Sequence, residues 1–395
     1  MSVALYAPEA DDEDQVASAR IAEVRAGATG IITVDLGQIA RNWLALSAKV
    51  KPATCAAVVK ADAYGLGAAR VIPTLAKAGC GTFFIATPDE AEIARKLLPD
   101  AVIYALDGLI GGAAAEAFHK LNVVPVLSTP EDIIAWAGLA KRYATVLPAA
   151  FHIDTGLNRL GLSARDTRRL ATDNETLARL APCLIMSHLA SADNPRDPKN
   201  RDQLLAFETL SALFPNVPRS LAASDGLMLG PAFHFDLVRP GYALYGGQAS
   251  ETYPAPVKPT VTVTVRILAV TDVAAGETVG YSATWRAKRP SRIATLAAGY
   301  ADGVPRSASA PNGRPGGHVL IAGHLAPIVG RVSMDLITVD VTDLPSGIAA
   351  PGNCAKLIGD GITIEQAGFA ADTIGYEILT RLGPRFTRLY LEDTA

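Results

Sequence analysis

Cysteine is scarce and scattered: Cys55, Cys80, Cys183 and Cys354 are the only four in 395 residues, and no two form a CxxC pair. That excludes a disulfide framework and a thiolate-rich metal site, and it fits isolated buried thiols in a reducing compartment. Histidine is sparse too. His318 and His324 lie in a turn-rich strand pair with no cysteine or carboxylate at ligand spacing, so no metal centre is expected. No apolar run approaches the roughly 18 residues that cross a bilayer, so no membrane partner is expected. Positive charge is not in surplus: the formal charge is −3 and no basic stripe appears, which removes the electrostatic basis for a nucleic-acid partner. The N-terminus, MSVALYAPEADDEDQ, lacks the basic-then-apolar order of a secretory signal and turns acidic instead, so a cytoplasmic location is expected. A GxGxxG turn is missing as well, which counts against an open dinucleotide-binding sheet.

What is present is a globular composition, 49% hydrophobic and 19% charged, on a chain too long for one ordinary core. Residues 1–30 read as an N-terminal extension, with one short helix over Val16–Ala26. From 31 to 255, apolar runs of strand length alternate with Ala/Leu/Arg-rich helical stretches. The runs are Ala56–Lys60, Phe83–Ala86, Val102–Leu106, Val123–Leu127, Pro148–Asp154, Leu184–His188, Leu221–Ser224 and Leu237–Tyr242. Eight βα units of this kind imply an α/β fold, a (β/α)8 TIM-like barrel with its chemistry at the C-terminal strand ends. After the Pro-rich stretch Tyr253–Pro259 the pattern changes. Thr260–Arg266 reads TVTVTVR, the strict alternation of a half-exposed strand. Further short strands are expected around Arg292–Ala297, His318–Ile321, Ile328–Val332 and Ile337–Val341, so residues 256–395 read as a smaller, mostly antiparallel β domain.

Several strand ends carry residues that suit chemistry. Lys60 follows an apolar run directly, and desolvation disfavours an ammonium, which frees a lysine for Schiff-base formation. Taken alone, Lys60 equally reads as a strand-end lysine reaching solvent, Arg159 as a surface ion-pair partner, His188 as a satisfied structural residue and Tyr281 as a strand aromatic.

The surrounding blocks decide between these readings. Val58-Val59-Lys60-Ala61-Asp62-Ala63-Tyr64-Gly65-Leu66-Gly67 resembles the cofactor-lysine motif of the alanine racemase family, and the likeness runs in separate blocks from about Thr33 to Arg388. The resemblance implies pyridoxal 5'-phosphate as cofactor, held covalently by Lys60, with Tyr64 on its phosphate. Asp154-Thr155-Gly156-Leu157-Asn158-Arg159-Leu160-Gly161 is similar to the family's DTGxxRxG segment, which implies that Arg159 lies near the cofactor phenolic oxygen and the substrate carboxylate. Many members carry a carbon-dioxide-modified lysine where this chain has His152, so His152 or an anion takes over the support of Arg159. His188 resembles a relay between the cofactor-contacting arginine and the catalytic tyrosine. Ser224 matches the phosphate-binding serine, though the usual asparagine before it is Ala223. Gly241 and Tyr242 resemble amide donors to the phosphate. Arg239 is similar to the arginine facing the pyridine nitrogen; a guanidinium does not readily give up its proton, so the ring is a weaker electron sink and side reactions are held back.

The β domain resembles the other half of the site. Val279-Gly280-Tyr281-Ser282-Ala283-Thr284-Trp285 is similar to the segment with the opposing acid/base, Tyr281. Asp193, Tyr300, Arg306, Arg331 and Ile374 match residues of the substrate entrance, Met334 (through its amide) and Asp335 match positions near the substrate carboxylate, and Tyr376 matches a second phosphate tyrosine. The implied reaction interconverts L- and D-alanine by two bases on opposite faces, supplying D-alanine for peptidoglycan. The implied assembly is a homodimer with shared active sites, Tyr281 coming from the partner subunit. Three alternatives stay open on the sequence: a broader-specificity amino-acid racemase, a barrel decarboxylase using the same cofactor, and a non-catalytic cofactor carrier. The last needs no second base, and Arg239 counts against the decarboxylase.

Overall fold

Short strands buried on both faces dominate the first two thirds of the chain, and a strand that does not fit this description comes before them. The computed structural model describes residues 27–248, 250 and 254–392; the extension expected before residue 27, with its helix over Val16–Ala26, lies outside the described residues. Strand β1 (Gly30–Asp35) alternates buried and half-buried side chains along GIITVD. That period-two pattern suits a sheet with one face in a core, not a barrel strand covered on both sides.

Helix Leu36–Val50 follows, and then the barrel strands: β2 (Thr54–Cys55), β3 (Ala57–Val58), β4 (Thr82–Ile85), β5 (Val102–Ala105), β6 (Val124–Leu127), β7 (Leu147–His152), β8 (Leu180–Met186), β9 (Arg219–Ser220) and β10 (Leu237–Val238). Strands β3 to β9 form one parallel sheet in chain order. Strand β10 closes the ring from both sides. It pairs in parallel with β2, and Val58 N–H donates to Pro240 O at 2.9 Å. On its other edge Arg239 N–H donates to Ala222 O at 3.0 Å and Ser220 Oγ to Leu237 O at 2.6 Å. The first barrel strand is therefore one broken strand, β2 and β3, and the eight runs read from the sequence make a TIM-like barrel. Its core is built from strand residues such as Phe83, Phe84, Val126, Phe151 and Ile185, all buried. Threonine, serine or aspartate caps open several of its helices. Thr87 precedes Pro88–Leu97, Thr129 and Asp132 form a capping box on Pro130–Arg142, and Ser163 caps Ala164–Thr172.

The second sheet is antiparallel save for one pair. Strand β11 (Val261–Val273) is long enough to serve two neighbours. Its first half pairs with β1 and β18 (Cys354–Ile358), and a bulge between Ile267 and Ala269 turns its second half onto β14 (Ser291–Leu296). With the hairpin β12 (Thr278–Val279) and β13 (Trp285–Arg286) set apart, strands β14, β17 (Ile337–Asp340), β16 (His324–Val329), β15 (His318–Ile321), β18 and β11 close into a ring. Strand β19 (Thr387–Leu391) adds to β1 in parallel.

Among the described residues two compact units result: Leu36–Thr260 together with Glu392, and residues 27–35 together with Val261–Leu391. These units divide the chain after Asp35 and Thr260, where the expected domains were 31–255 and 256–395. Residues 30–35 belong to the β unit because TVTVTVR offers their alternating side chains an antiparallel partner, Gly30 to Val34 opposite Val265 to Val261. Among the described residues no helix is long and apolar enough to cross a membrane.

Candidate active site

In the barrel unit, Lys60 stands two residues past β3 at the C-terminal mouth, where the chain reverses hand. Ala61, Asp62, Ala63 and Tyr64 have φ of 52, 53, 53 and 57°. Four L-residues in a left-handed turn cost roughly 1–2 kcal/mol each, so the surroundings must hold them. Ala63 N–H donates to Val59 O (2.9 Å), Gly65 N–H to Ala61 O (2.8 Å), and Gly67 N–H to Asp62 O (2.9 Å). The Asp62 carboxylate accepts from Ala68 N–H at 2.7 Å. The turn folds Tyr64 back into the barrel, its ring 4.9 Å from that of Tyr245. Burial, and then Asp225, raise its phenol pKa and keep it protonated. The half-buried Lys60 amine has no hydrogen-bond partner among the described residues.

Four further strand ends converge beside it. Arg239, after β10, is buried, and its guanidinium donates to Ser187 O at 2.6 Å, to Leu221 O at 3.3 Å and to the Ser220 hydroxyl. Burial lowers its pKa to about 9, which leaves it cationic at neutral pH. His188, after β8, is held neutral: burial, then Arg239, Arg159, His152 and Lys60, pull its pKa down to about 3. His152, at the end of β7, is likewise lowered to about 4 by burial, Arg239 and Arg159, with Asp154 opposing. Ser224, past β9, accepts from Gly241 N–H (3.0 Å) and Ala243 N–H (3.1 Å). Gly241 has no room for a side chain: a Cβ there would meet the Tyr64 hydroxyl and lie 3.0 Å from Tyr64 Cζ and 3.2 Å from Val58 Cβ. The Tyr242 ring is buried against Gly247, so only its backbone is available to a ligand.

Arg159 sits on an exposed loop shaped by Asp154, which accepts from the amides of Gly156, Leu157 and Asn158 at 2.8, 3.0 and 3.1 Å. Among the described residues its guanidinium has no hydrogen-bond or ion-pair partner, and no bond joins it to His152. Asp193 is exposed on the loop after β8, which Asn200 braces through Ser191 O and Asn194 O, both at 3.0 Å.

Two groups, the buried Gln203 and the half-buried Glu90, escaped the sequence reading. Gln203, on helix Pro198–Ser211, accepts from Ala190 N–H (2.8 Å) and donates to His188 O (3.0 Å) and Thr155 Oγ1 (3.2 Å), while Thr155 meets Ser187 Oγ at 2.8 Å. Glu90 bonds two amides of neighbouring strand ends. Gln203 left no signal, because its partners are remote in sequence; Glu90 left the T-x-x-E cap signature over Thr87–Glu90.

The β unit gathers its candidates on turns. Tyr281 opens a turn with Ser282 and Ala283 at φ 60 and 50°, and it is 70% exposed. Arg331 donates to Ser282 Oγ at 2.9 Å, tying that turn to the Arg331–Asp335 segment. Tyr300 N–H donates to Ser333 O and Ala301 N–H to Met334 O, both at 3.0 Å, so Tyr300 and the exposed Met334 share one edge. Arg385 holds Asp335 at 2.5 Å and the buried Asp302 at 2.9 Å. Arg306 and the exposed Ile374 lie on segments joined by Ser307 Oγ donating to Ala371 O at 2.6 Å. Tyr376 is half-buried on helix Gly375–Thr380.

Comparison with known proteins fits this arrangement. The model of the alanine racemase N-terminal domain matches residues 34–249, and that of the alanine racemase C-terminal domain matches residues 260–390. The chain is 46% identical over 364 residues to an alanine racemase of Methylobacterium nodulans, covering 92% of this chain and 96% of that one. To the biosynthetic alanine racemase of Agrobacterium fabrum it is 43% identical, covering 91% and 93%. Its fold matches the crystal structure of alanine racemase from Bartonella henselae with covalently bound pyridoxal phosphate, with a TM-score of 0.87 at 39% identity, over 92% of this chain and all of that one. The biosynthetic enzyme of Pseudomonas aeruginosa gives 0.85 at 34%. With family models matching most of the barrel and of the β unit, the lysine turn at the barrel mouth and an exposed tyrosine turn in the β unit, this chain belongs to the alanine racemase family.

Proposed function

We propose that this chain interconverts L- and D-alanine, with pyridoxal phosphate carried by Lys60 and protons exchanged by Lys60 and Tyr281. One observation carries the reading. Arg239 is buried with no ion-pair partner among the described residues, and Lys60, Arg159 and two neutral histidines surround it. A buried guanidinium with no ion-pair partner, flanked by further cations, calls for an anionic ligand. The donor set fits the cofactor. With its oxygen already accepting two amides, Ser224 keeps its own proton to donate to a phosphate oxygen, and bare Gly241 lets that group approach the backbone.

When bound, the cofactor supplies conjugation that makes the α-proton of an amino acid removable. The chain's own residues do the rest. Arg239 and His188 face the mouth as a fixed cation and a neutral hydrogen-bonding ring, Arg159 is available to the substrate carboxylate, and Tyr64 and Tyr376 serve the phosphate. Lys60 takes or returns the proton on the D-alanine face and Tyr281 on the L-alanine face. A single base would return the proton to the side it left. Because the Tyr281 phenol is unpacked by its own unit, its use by a second copy of the chain is supported, giving a homodimer with shared sites. Met334, Asp335, Tyr300, Arg306, Arg331, Asp193 and Ile374 then bound the entrance. The product, D-alanine, would supply peptidoglycan.

The test is a chiral assay of L-alanine incubated with the protein, run beside an absorbance spectrum before and after borohydride. Lys60→Ala should lose both the borohydride-sensitive band and racemisation. A band that survives Lys60→Ala would end the reading.

A further inference from the structure

Glu90 sits at the third helical position after the Thr87 cap, where a capping-box glutamate ordinarily reaches back to the cap's own amide. Here it does not. Its carboxylate bridges two strand ends: Oε1 accepts from Ala61 N–H and Oε2 from Ala86 N–H, both at 2.7 Å. Ala61 is the residue directly after Lys60 and the first of the four in the left-handed turn. Every later amide up to Gly67 that holds this turn bonds within the turn itself or to Val59, but the Ala61 amide is met from a different βα unit. Glu90 is the acceptor of the Ala61 amide among the described residues, while the Ala61 carbonyl is held within the turn by Gly65 N–H, and a backbone forced to the wrong hand would relax toward the right-handed or extended region if released.

We propose that Glu90 is a positioning residue for Lys60: by pinning the amide after Lys60 to the end of β4, it sets the hand of the turn and therefore the direction in which the lysine amine leaves the strand. The inference rests on the reading of Lys60 as the cofactor-bearing lysine. Charge and reach both matter. A carboxylate presents two acceptors, whereas the amide of Glu90→Gln puts an N–H₂ group against one of the two backbone donors, and Glu90→Asp is one methylene too short to span both. Elsewhere in the barrel Asp132 plays a comparable structural part, accepting from Thr129, Ser128 and Leu109 amides at 3.2, 3.1 and 3.3 Å at the end of β6, the third strand along the sheet from β3. Asp132→Asn is thus the control for general loosening of a βα junction.

The experiment uses the full chain freed of cofactor and then reloaded with pyridoxal phosphate. Two readouts are followed: hydrogen exchange of the peptide covering 59–67, and the rate at which the absorbance band of the lysine-bound cofactor forms. Glu90→Gln and Glu90→Ala should raise exchange at 61–67 and slow band formation by about tenfold or more. Asp132→Asn should lower the melting temperature and leave the band rate within about twofold. Should Glu90→Ala fail to fold, Glu90→Gln, which keeps the volume, decides. Unchanged exchange and unchanged band rate in Glu90→Gln would overturn the inference, as would Asp132→Asn slowing the band equally. A band that persists in Lys60→Ala would instead overturn the reading beneath it, so the two failures are distinguishable.

Discussion

Gly241→Ala is the sharpest single perturbation the geometry offers. The added methyl would collide with the Tyr64 hydroxyl and sit 3.0 Å from Tyr64 Cζ and 3.2 Å from Val58 Cβ. Neither neighbour can give way cheaply. Tyr64 and Val58 are buried, and Tyr64 is also tied to the left-handed turn. Overpacking of this kind costs about 1–3 kcal/mol, and for a unit the size of Leu36–Thr260 each kcal/mol is worth roughly 2–4 °C. The cofactor-free protein should therefore melt roughly 2–12 °C lower. Calorimetry of the parent, Gly241→Ala, Tyr64→Phe and the double variant completes a cycle. Removing the hydroxyl relieves the worst contact and leaves Cζ, so the coupling should be favourable, about 0.5–1 kcal/mol. If Gly241→Ala melts with the parent and the cycle shows no coupling, the close approach of that backbone to Tyr64 is wrong.

Other outcomes follow from the same geometry. His152 and His188 have pKa values of about 4 and about 3 in the fold, against 6.5 unfolded, so the unfolded chain binds more protons in between. Stability is full above pH 6.5 and is lost as pH falls toward 4 and 3; from pH 7 to 5 the pair should cost roughly 2–4 kcal/mol, read by urea melts, with the slope about halved in His152→Gln. An unchanged slope would contradict the buried neutral state of His152. Tyr281→Phe should retain bound cofactor yet end interconversion, and mixing it with Lys60→Ala should restore part of the activity through hybrid dimers; no rescue despite measured subunit exchange would count against shared sites. Gln203→Leu strips partners from part-buried groups at Ala190, His188 and Thr155 and should lower stability by about 1–3 kcal/mol in denaturant melts.

Strand identity was legible where burial alone decides it. Runs such as Val124–Leu127 are apolar on both faces, and only a covered parallel strand accommodates that. Position in the sheet was less legible. GIITVD carries a strand signal, but its partner TVTVTVR lies more than two hundred residues away, so sequence order alone did not place it beside that strand. Candidate side chains at strand ends were readable because the motif residues are local. The hand of the turn after Lys60 was not: alanine, aspartate and tyrosine give no hint of positive φ, and the groups that enforce it come from Glu90 and from the turn's own backbone. Nor could pattern reveal that His152 makes no bond to Arg159, since that depends on side-chain direction at the barrel mouth.

The assignment of β1 to the smaller unit makes the barrel an insertion within it, entered after Asp35 and left before Val261. During synthesis the first strand emerges early and waits, unpaired, until some two hundred and thirty further residues have been made before either neighbour exists. A fragment beginning at Val261 would consequently present two open strand edges, on β11 and β19, where that strand belongs, and should self-associate through them instead of standing as an independent module.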